Sequence, residues 1–362
     1  MNVLITGANG FIGQALCKRL MAEGYHVRGA VRSTAQIAAL PSGVEGTMVG
    51  NIGPETDWSD VLSGIEGIVH LAARVHVIPE NAADPLAASR LVNVAGTERL
   101  ARQAAEAEVK RLVYISSVKV NGERTGGSGN RPGVRSQEKT DRGRPSEIEK
   151  KKAFHGVKKS EGRGREGELK KFFSEEDVPE PRDPYAVSKW EAEKVLHEIV
   201  DMTGLEVVVL RPPLVYGLGV KANFLRLLDI VGRGIPFPLA SVKNRRSLIY
   251  LGNLVDAIVT CISHPIAAGN TYLVSDGEDV STPELIRRMG YALGRPVRLF
   301  PFPPFMLKMT GIVTGKSIAI DKLLRSLMVD SSKILRDLDW KAPFSMEQGL
   351  RETAEWYLKK DF

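Results

Sequence analysis

Three glycines near the amino terminus constrain this chain more than any other feature. Residues 6–13 read Thr6-Gly7-Ala8-Asn9-Gly10-Phe11-Ile12-Gly13. The turn follows the apolar run Val3-Leu4-Ile5. It precedes a stretch in which Phe11, Ile12, Ala15, Leu16 and Leu20 recur at helical spacing, with Gly24 as the stop. A strand that turns on glycines into an amphipathic helix opens a dinucleotide-binding βαβ unit. Gly7 permits the sharp turn, Gly10 lets backbone N–H groups approach a pyrophosphate, and Gly13 lets the helix pack closely on the sheet. The pyrophosphate then rests against the positive end of the helix dipole.

The pattern continues through the first half. Apolar runs predict further strands at 26–31, 44–49, 68–72, 111–115 and 206–210. Asp84-Pro85 and Asp183-Pro184 open long helices, to about 108 and 202. Continuous Val/Ile/Leu strands separated by helices imply a parallel sheet covered on both faces. Right-handed crossovers make this an α/β, doubly wound parallel sheet of Rossmann type. The second half is less regular, with prolines at 212–213, 236–238 and 301–304, and a helix start at Ser281-Thr282-Pro283-Glu284. It is expected to form a smaller C-terminal substrate-binding lobe over the carboxyl edge of the sheet. The expected division is 1–123 with 172–220 as the dinucleotide-binding domain. Residues 221–362 then form mainly the lobe, some segments returning to the first domain.

The net charge of +7 suggests nucleic acid until its placement is considered. Residues 124–171 hold 15 Lys+Arg against 7 Asp+Glu, so the other 314 residues carry a net −1. That stretch has nine glycines and five large apolar residues, too few to offset the entropy of ordering. It reads as a basic, disordered insertion. Aromatic interleaving is nearly absent, which argues against a nucleic-acid arm. Two cysteines, Cys17 and Cys261, exclude a disulfide framework and a cysteine-rich zinc site. Six histidines are scattered without ligand spacing, so no metal site is expected. No apolar run approaches 18 residues, and the chain opens on a strand pattern without a charged leader. No membrane span and a cytoplasmic address are expected.

Further motifs stand in order along the chain: His70-Leu71-Ala72-Ala73, Asn93-Val94-x-Gly96-Thr97, Ser116-Ser117-Val118-Lys119-Val120-Asn121-Gly122, Tyr185-x-x-x-Lys189 and Arg211-Pro212-Pro213-x-Val215-Tyr216-Gly217. Arg246-Ser247-Leu248-Ile249-Tyr250 and Trp340-Lys341-x-Pro343 follow. With the glycine turn, this set resembles the extended branch of the short-chain dehydrogenase/reductases, the NAD-dependent epimerase/dehydratase family. It covers nearly everything except 124–171.

Tyr185 and Lys189, four apart on a helix, share one face. A phenol titrates near ~10, and a neighbouring ammonium lowers that value, favouring a phenolate that takes a hydroxyl proton. The resemblance implies that Lys189 also bonds the nicotinamide ribose, that Ser117 is the catalytic hydroxyl, and that Ser116 faces the cofactor. It likewise implies cofactor contacts from Gly7, Gly10, Phe11, Ile12, Gly13, Leu71, Ala72, Ala73, Pro212 and Val215, and substrate contacts from Ser117, Asn223 and Arg246. Many relatives carry Tyr where Asn121 stands, a departure expected to alter the sugar pocket.

The second strand ends Arg28-Gly29-Ala30-Val31-Arg32 with no acid to accept from the adenine ribose. Arg32 is suited to a 2′-phosphate, which leans the expected cofactor towards NADP over NAD. The activity implied is NAD(P)-dependent oxidoreduction at carbon 4 of a UDP-linked hexose, by a 4-epimerase or a 4-ketoreductase, with a homodimer as the expected assembly. A 4,6-dehydratase needs a carboxylate after the catalytic hydroxyl, where Val118-Lys119 offers none. The alternative is a non-catalytic dinucleotide sensor or RNA-binding member of the same fold.

Overall fold

The computed structural model describes residues 1–75, 83–125, 172–315 and 317–360. Most of the basic stretch, residues 126–171, lies outside them. Ten strands are described: β1 (Asn2–Thr6), β2 (His26–Val31), β3 (Glu45–Met48), β4 (Gly67–His70), β5 (Arg111–Ile115), β6 (Glu206–Arg211), β7 (Leu214–Tyr216), β8 (Arg246–Tyr250), β9 (Thr271–Leu273) and β10 (Asp279–Val280). Seven form one sheet in the order β3-β2-β1-β4-β5-β6-β9. Every pairing in it is parallel. The order reverses beside β1, between β2 and β4, and ligands of doubly wound sheets bind at such a switch point.

The strands read as unbroken apolar runs because both faces are covered. Val3, Ile5, Val69, Val113 and Val208 face one core, with Leu16 and Leu20 of helix Phe11–Ala22 and Leu254 and Ile258 of helix Leu251–Ser263. Leu4, Ile68, Leu112, Val207 and Val209 face the other, with Leu100 and Ala104 of helix Gly96–Glu106 and Leu196 and Ile199 of helix Pro184–Thr203. Alternate residues of one strand thus meet different helix layers.

Helix ends follow the predicted signals. Asp84 accepts from the backbone N–H of Leu86 and Ala87, Asp183 from Ala186, and Ser281 from Glu284. Gly24 and Gly204, at φ +82° and +76°, end their helices. The helix from Pro85 widens into a π turn over Leu91–Ala95 before resuming at Gly96. Strand β4 stops at His70, two residues short of expectation, which leaves Leu71–Ala73 beyond the carboxyl edge.

Pro212-Pro213 separates β6 from β7, which enters a second sheet in the order β10-β8-β7. Residues 251–273 return to the first sheet, supplying a covering helix and the seventh strand. Thr125 is buried, and both it and Phe173 bond into segment 326–330: Thr125 N–H donates to the Ser326 carbonyl (3.0 Å) and Phe173 N–H to that of Met328 (2.8 Å).

Candidate active site

The carboxyl ends of β1, β4, β5 and β6 converge beside the glycine turn. A Cβ on Gly13 would lie 2.2 Å from the Gly7 carbonyl oxygen, and one on Gly7 would lie 3.1 Å from Ala72 N. The turn therefore packs backbone on backbone, against the strand-end segment that holds Leu71, Ala72 and Ala73. Helix Phe11–Ala22 begins at Gly10 with no side-chain cap and no acidic residue in its first turn. A close, uncapped helix start fits a dinucleotide pyrophosphate. Phe11 and Ile12 are half-buried there, and a Cβ on Gly219, just after β7, would meet the Phe11 ring at 3.6 Å.

A buried chain of hydrogen bonds holds that packing. Thr97 Oγ1 donates to the Asn93 carbonyl (2.7 Å) and so accepts from His70 Nε2 (3.0 Å). His70 Nδ1 then accepts from Thr6 Oγ1 (2.7 Å), which accepts from Ala72 N–H (3.2 Å). Burial, with Lys189 nearby, lowers the His70 pKa to about 3, so the ring is neutral and its tautomer set. Asn93, in the π turn, donates to Ser188 Oγ (2.9 Å) and pairs with both backbone groups of Arg74.

Tyr185 and Lys189 stand in the first turns of helix Pro184–Thr203, with Ser117 across from them at the end of β5. Ser117 caps a short 3₁₀ turn, Val118–Val120, and accepts weakly from Lys119 N–H (3.3 Å). Lys189 is 1% exposed; its Nζ donates to the Ile115 carbonyl (2.7 Å) and lies 4.3 Å from the Tyr114 ring centroid. Burial lowers its pKa to about 7, against an opposing pull from Glu193. The expected lowering of the phenol by this ammonium is overturned in this structure. Burial first, and then the Asp183 carboxylate, raise the Tyr185 pKa, while the Lys189 ammonium is turned inward and partly discharged.

Sequence reasoning passed over Lys119 as a participant. Its Nζ donates to Asp183 Oδ2 (2.5 Å) and lies 6.0 Å from the Tyr185 ring centroid. A cation thus balances the carboxylate that opposes the phenolate.

A second missed element lies beneath. Glu193, fully buried, accepts from Ser116 Oγ and from Arg211, whose Nη1 donates to Asn121 Oδ1 (3.0 Å). Asn121 Nδ2 donates to the Ser174 carbonyl (2.7 Å). Two expectations change. The Ser116 hydroxyl points into this network, because the buried carboxylate needs donors. Asn121 does not shape a sugar pocket; it ties the β5 end to the chain that returns at 172. The signal was present: Tyr185, Lys189 and Glu193 recur every four residues, placing a carboxylate on a buried helix stripe.

At the sheet's other flank, Arg32 is exposed just past β2 and its N–H donates to Gln36 Oε1 (3.0 Å). Arg28 is taken up by Glu45 (2.9 Å) and the carbonyls of Val61 and Ser63, so it does not act with Arg32. Pro212 accepts from Val118 N–H (3.0 Å), and Val215 lies half-buried in β7. Arg246 opens β8, which pairs with β7; its Nη1 donates to the Lys322 carbonyl (2.9 Å), and desolvation lowers its pKa. Asn223 is exposed in the first turn of helix Ala222–Gly232. Neither has a described contact to the Tyr185 cluster. Among the described residues no group of three or more side chains suits a metal ion, and no helix is long and apolar enough to cross a membrane.

The model of the NAD dependent epimerase/dehydratase family matches residues 3–148 and 161–275. A UDP-glucose 4-epimerase of Vibrio cholerae is 39% identical over 99% of this chain and 96% of its own length. An N-acetyl-α-D-glucosaminyl-diphospho-ditrans,octacis-undecaprenol 4-epimerase of Escherichia coli O157:H7 is 23% identical over 99% of this chain and 97% of its own. The crystal structure of a Bacillus cereus UDP-glucuronic acid 4-epimerase in complex with NAD superposes with a TM-score of 0.71 at 19% identity, covering 99% of each chain.

Proposed function

The chain belongs to the NAD-dependent epimerase/dehydratase family, and from that premise we propose that it inverts carbon 4 of a UDP-linked hexose. The observation that carries the reading is that the helix bearing Tyr185 and Lys189 meets the Ser117 turn at the carboxyl edge, through Lys189 on the Ile115 carbonyl and Lys119 on Asp183 and the Tyr185 ring, in a sheet whose first helix starts uncapped at the glycine turn. The 39% identical relative supports a UDP-sugar. The undecaprenol-linked relative is also a 4-epimerase, so carbon 4 is their common element.

The residues present fit a dinucleotide: the turn of Gly7, Gly10 and Gly13 at an uncapped helix start would hold its pyrophosphate, and Leu71–Ala73 would line the adjoining strand end. A dinucleotide held there would supply reversible hydride-transfer chemistry at carbon 4 of the sugar. Tyr185 takes the proton of the 4-hydroxyl as the hydride leaves and gives it back when the hydride returns, so the proton count closes over a turnover. Ser117 donates to the oxygen at carbon 4 as it becomes a carbonyl and holds it for the reverse step. Lys189, held on the Ile115 carbonyl, anchors this helix face to the end of β5, and Lys119 offsets Asp183 beside the Tyr185 ring. Arg246 supplies a cation for the substrate diphosphate, with Asn223 at its rim.

The working cofactor we infer is NAD, because an epimerase restores the hydride it takes and solved relatives hold NAD. Arg32 also admits the 2′-phosphate of NADP. The test is incubation of the purified protein with UDP-glucose and no added cofactor, with sugar nucleotides resolved by anion exchange. Appearance of UDP-galactose supports the reading. Consumption of NADPH by a UDP-4-keto-hexose without 4-epimer formation replaces it with a reductase.

A further inference from the structure

Helix Pro304–Val313 is apolar on two opposite sides, and only one of them is covered. Leu307 is buried, and a Cβ on Gly311 would lie 2.9 Å from Ile320, so this side packs on helix Ser317–Leu324. The other side carries Phe305, Met306, Met309, Ile312 and Val313. At 100° per residue they share a stripe about 120° wide. Phe305 is 67% exposed, Ile312 66% and Val313 81%. Phe300, 44% exposed, extends the apolar surface through the proline run that leads into the helix. Contiguous apolar exposure of this kind marks an interaction site.

The charge around the stripe selects the occupant. Residues 289–320 contain four cations (Arg295, Arg298, Lys308 and Lys316) and no carboxylate, and the next residue, Asp321, which lines one pocket with Lys308 and Ile312, is ion-paired with Arg325. Arg295, Arg298 and Lys308 are exposed, and Lys308 lies on the helix itself. A second copy of this face would bring like charges together. An apolar stripe carried on a predominantly cationic segment instead suits the boundary between acyl chains and anionic headgroups.

We propose that helix Pro304–Val313 docks this protein on anionic phospholipid bilayers, its stripe entering the headgroup boundary and its cations meeting lipid phosphates. The neighbouring helix Ser317–Leu324 carries the Lys322 carbonyl that holds Arg246, so docking brings the substrate lobe to the bilayer surface.

The test is vesicle flotation of the full chain with equimolar phosphatidylglycerol and phosphatidylcholine, and with phosphatidylcholine alone. The expected result is at least tenfold greater partitioning onto the anionic vesicles. A Met309→Glu/Ile312→Glu variant is expected to lose that partitioning at least tenfold while keeping its unfolding midpoint and epimerase turnover in solution, because both side chains are exposed. Retained binding by this variant transfers the interaction to the basic stretch 124–171 and overturns the proposal. Absence of binding by the parent chain also overturns it. So does a concentration-dependent dimer in light scattering that the two substitutions abolish, since a second copy then covers the stripe.

Discussion

Lys189→Met is expected to make the protein more stable and catalytically dead. Lys189 is buried to 1% exposure, with one described hydrogen bond from Nζ, to the Ile115 carbonyl. Holding a lysine at a pKa of about 7 instead of its ordinary 10.5 costs roughly 5 kcal/mol at ~1.36 kcal/mol per pH unit, as an upper bound. Methionine has a similar length and no charge to desolvate. Against the gain stands the lost charged hydrogen bond, about 1.5–3 kcal/mol. The net gain is about 2–3.5 kcal/mol, roughly 3–5 °C in midpoint for a chain of this size. The sign with pH follows from linkage. Between pH 7 and 10.5 the unfolded lysine binds a proton that the folded one does not, so the parent grows more stable as pH rises. The variant's advantage is therefore full below pH 7, falls as pH rises, and reverses above about pH 8–9.5, where the lost hydrogen bond outweighs what remains of the lysine's cost. Urea unfolding followed by fluorescence at pH 6, 7.5 and 9 reads it directly. A variant less stable than the parent at pH 6, or an advantage independent of pH, refutes the reasoning.

Four further outcomes are expected. Tyr185→Phe keeps the ring and removes the proton carrier, so turnover falls by ~10²–10⁴-fold while sugar-nucleotide affinity, by calorimetry, barely moves. Lys119→Met leaves Asp183 unopposed beside the phenol and moves the ascending limb of the kcat profile up by roughly one pH unit, as expected of a charge about 6 Å away. Asp183→Asn keeps the helix cap and moves that limb down; shifts in the same direction reject an electrostatic role for the pair. Arg32→Glu weakens NADPH by about one to two decades and leaves NADH nearly unchanged, measured by fluorescence titration. Equal losses for both cofactors leave Arg32 a surface residue.

What was legible in the sequence was local. The glycine turn, the Asp84, Asp183 and Ser281 caps and the buried strands are each decided by a few consecutive residues, and each stands where its signal placed it. Strand β9 was not legible, because three residues carry no period; its place depends on β6 offering Val209–Arg211 as partners. The π turn at Leu91–Ala95 was equally hidden, since the apolar spacing of a helix scarcely registers one widened turn. Ser116 and Asn121 were misread for a different reason. Their neighbours in sequence lie at the site, whereas their own partners, Glu193 and Arg211, are 77 and 90 residues away.

Those long-range partners explain how the site is held. The end of a parallel strand leaves backbone groups without ladder partners, and the chain must place reactive side chains there without apolar packing to fix them. Here the fixing is electrostatic: Glu193 with Arg211 under Ser116, Lys189 on the Ile115 carbonyl, and His70 between Thr6 and Thr97. Each such group is costly when buried and becomes far more costly if its partner is removed. The arrangement is therefore rigid, and it is the reason that a stabilising substitution at Lys189 and a catalytic loss coincide. Buried ionisable residues on otherwise apolar stripes, Lys189 and Glu193 above all, mark where this fold gives up stability to hold the proposed proton carrier, Tyr185, in place.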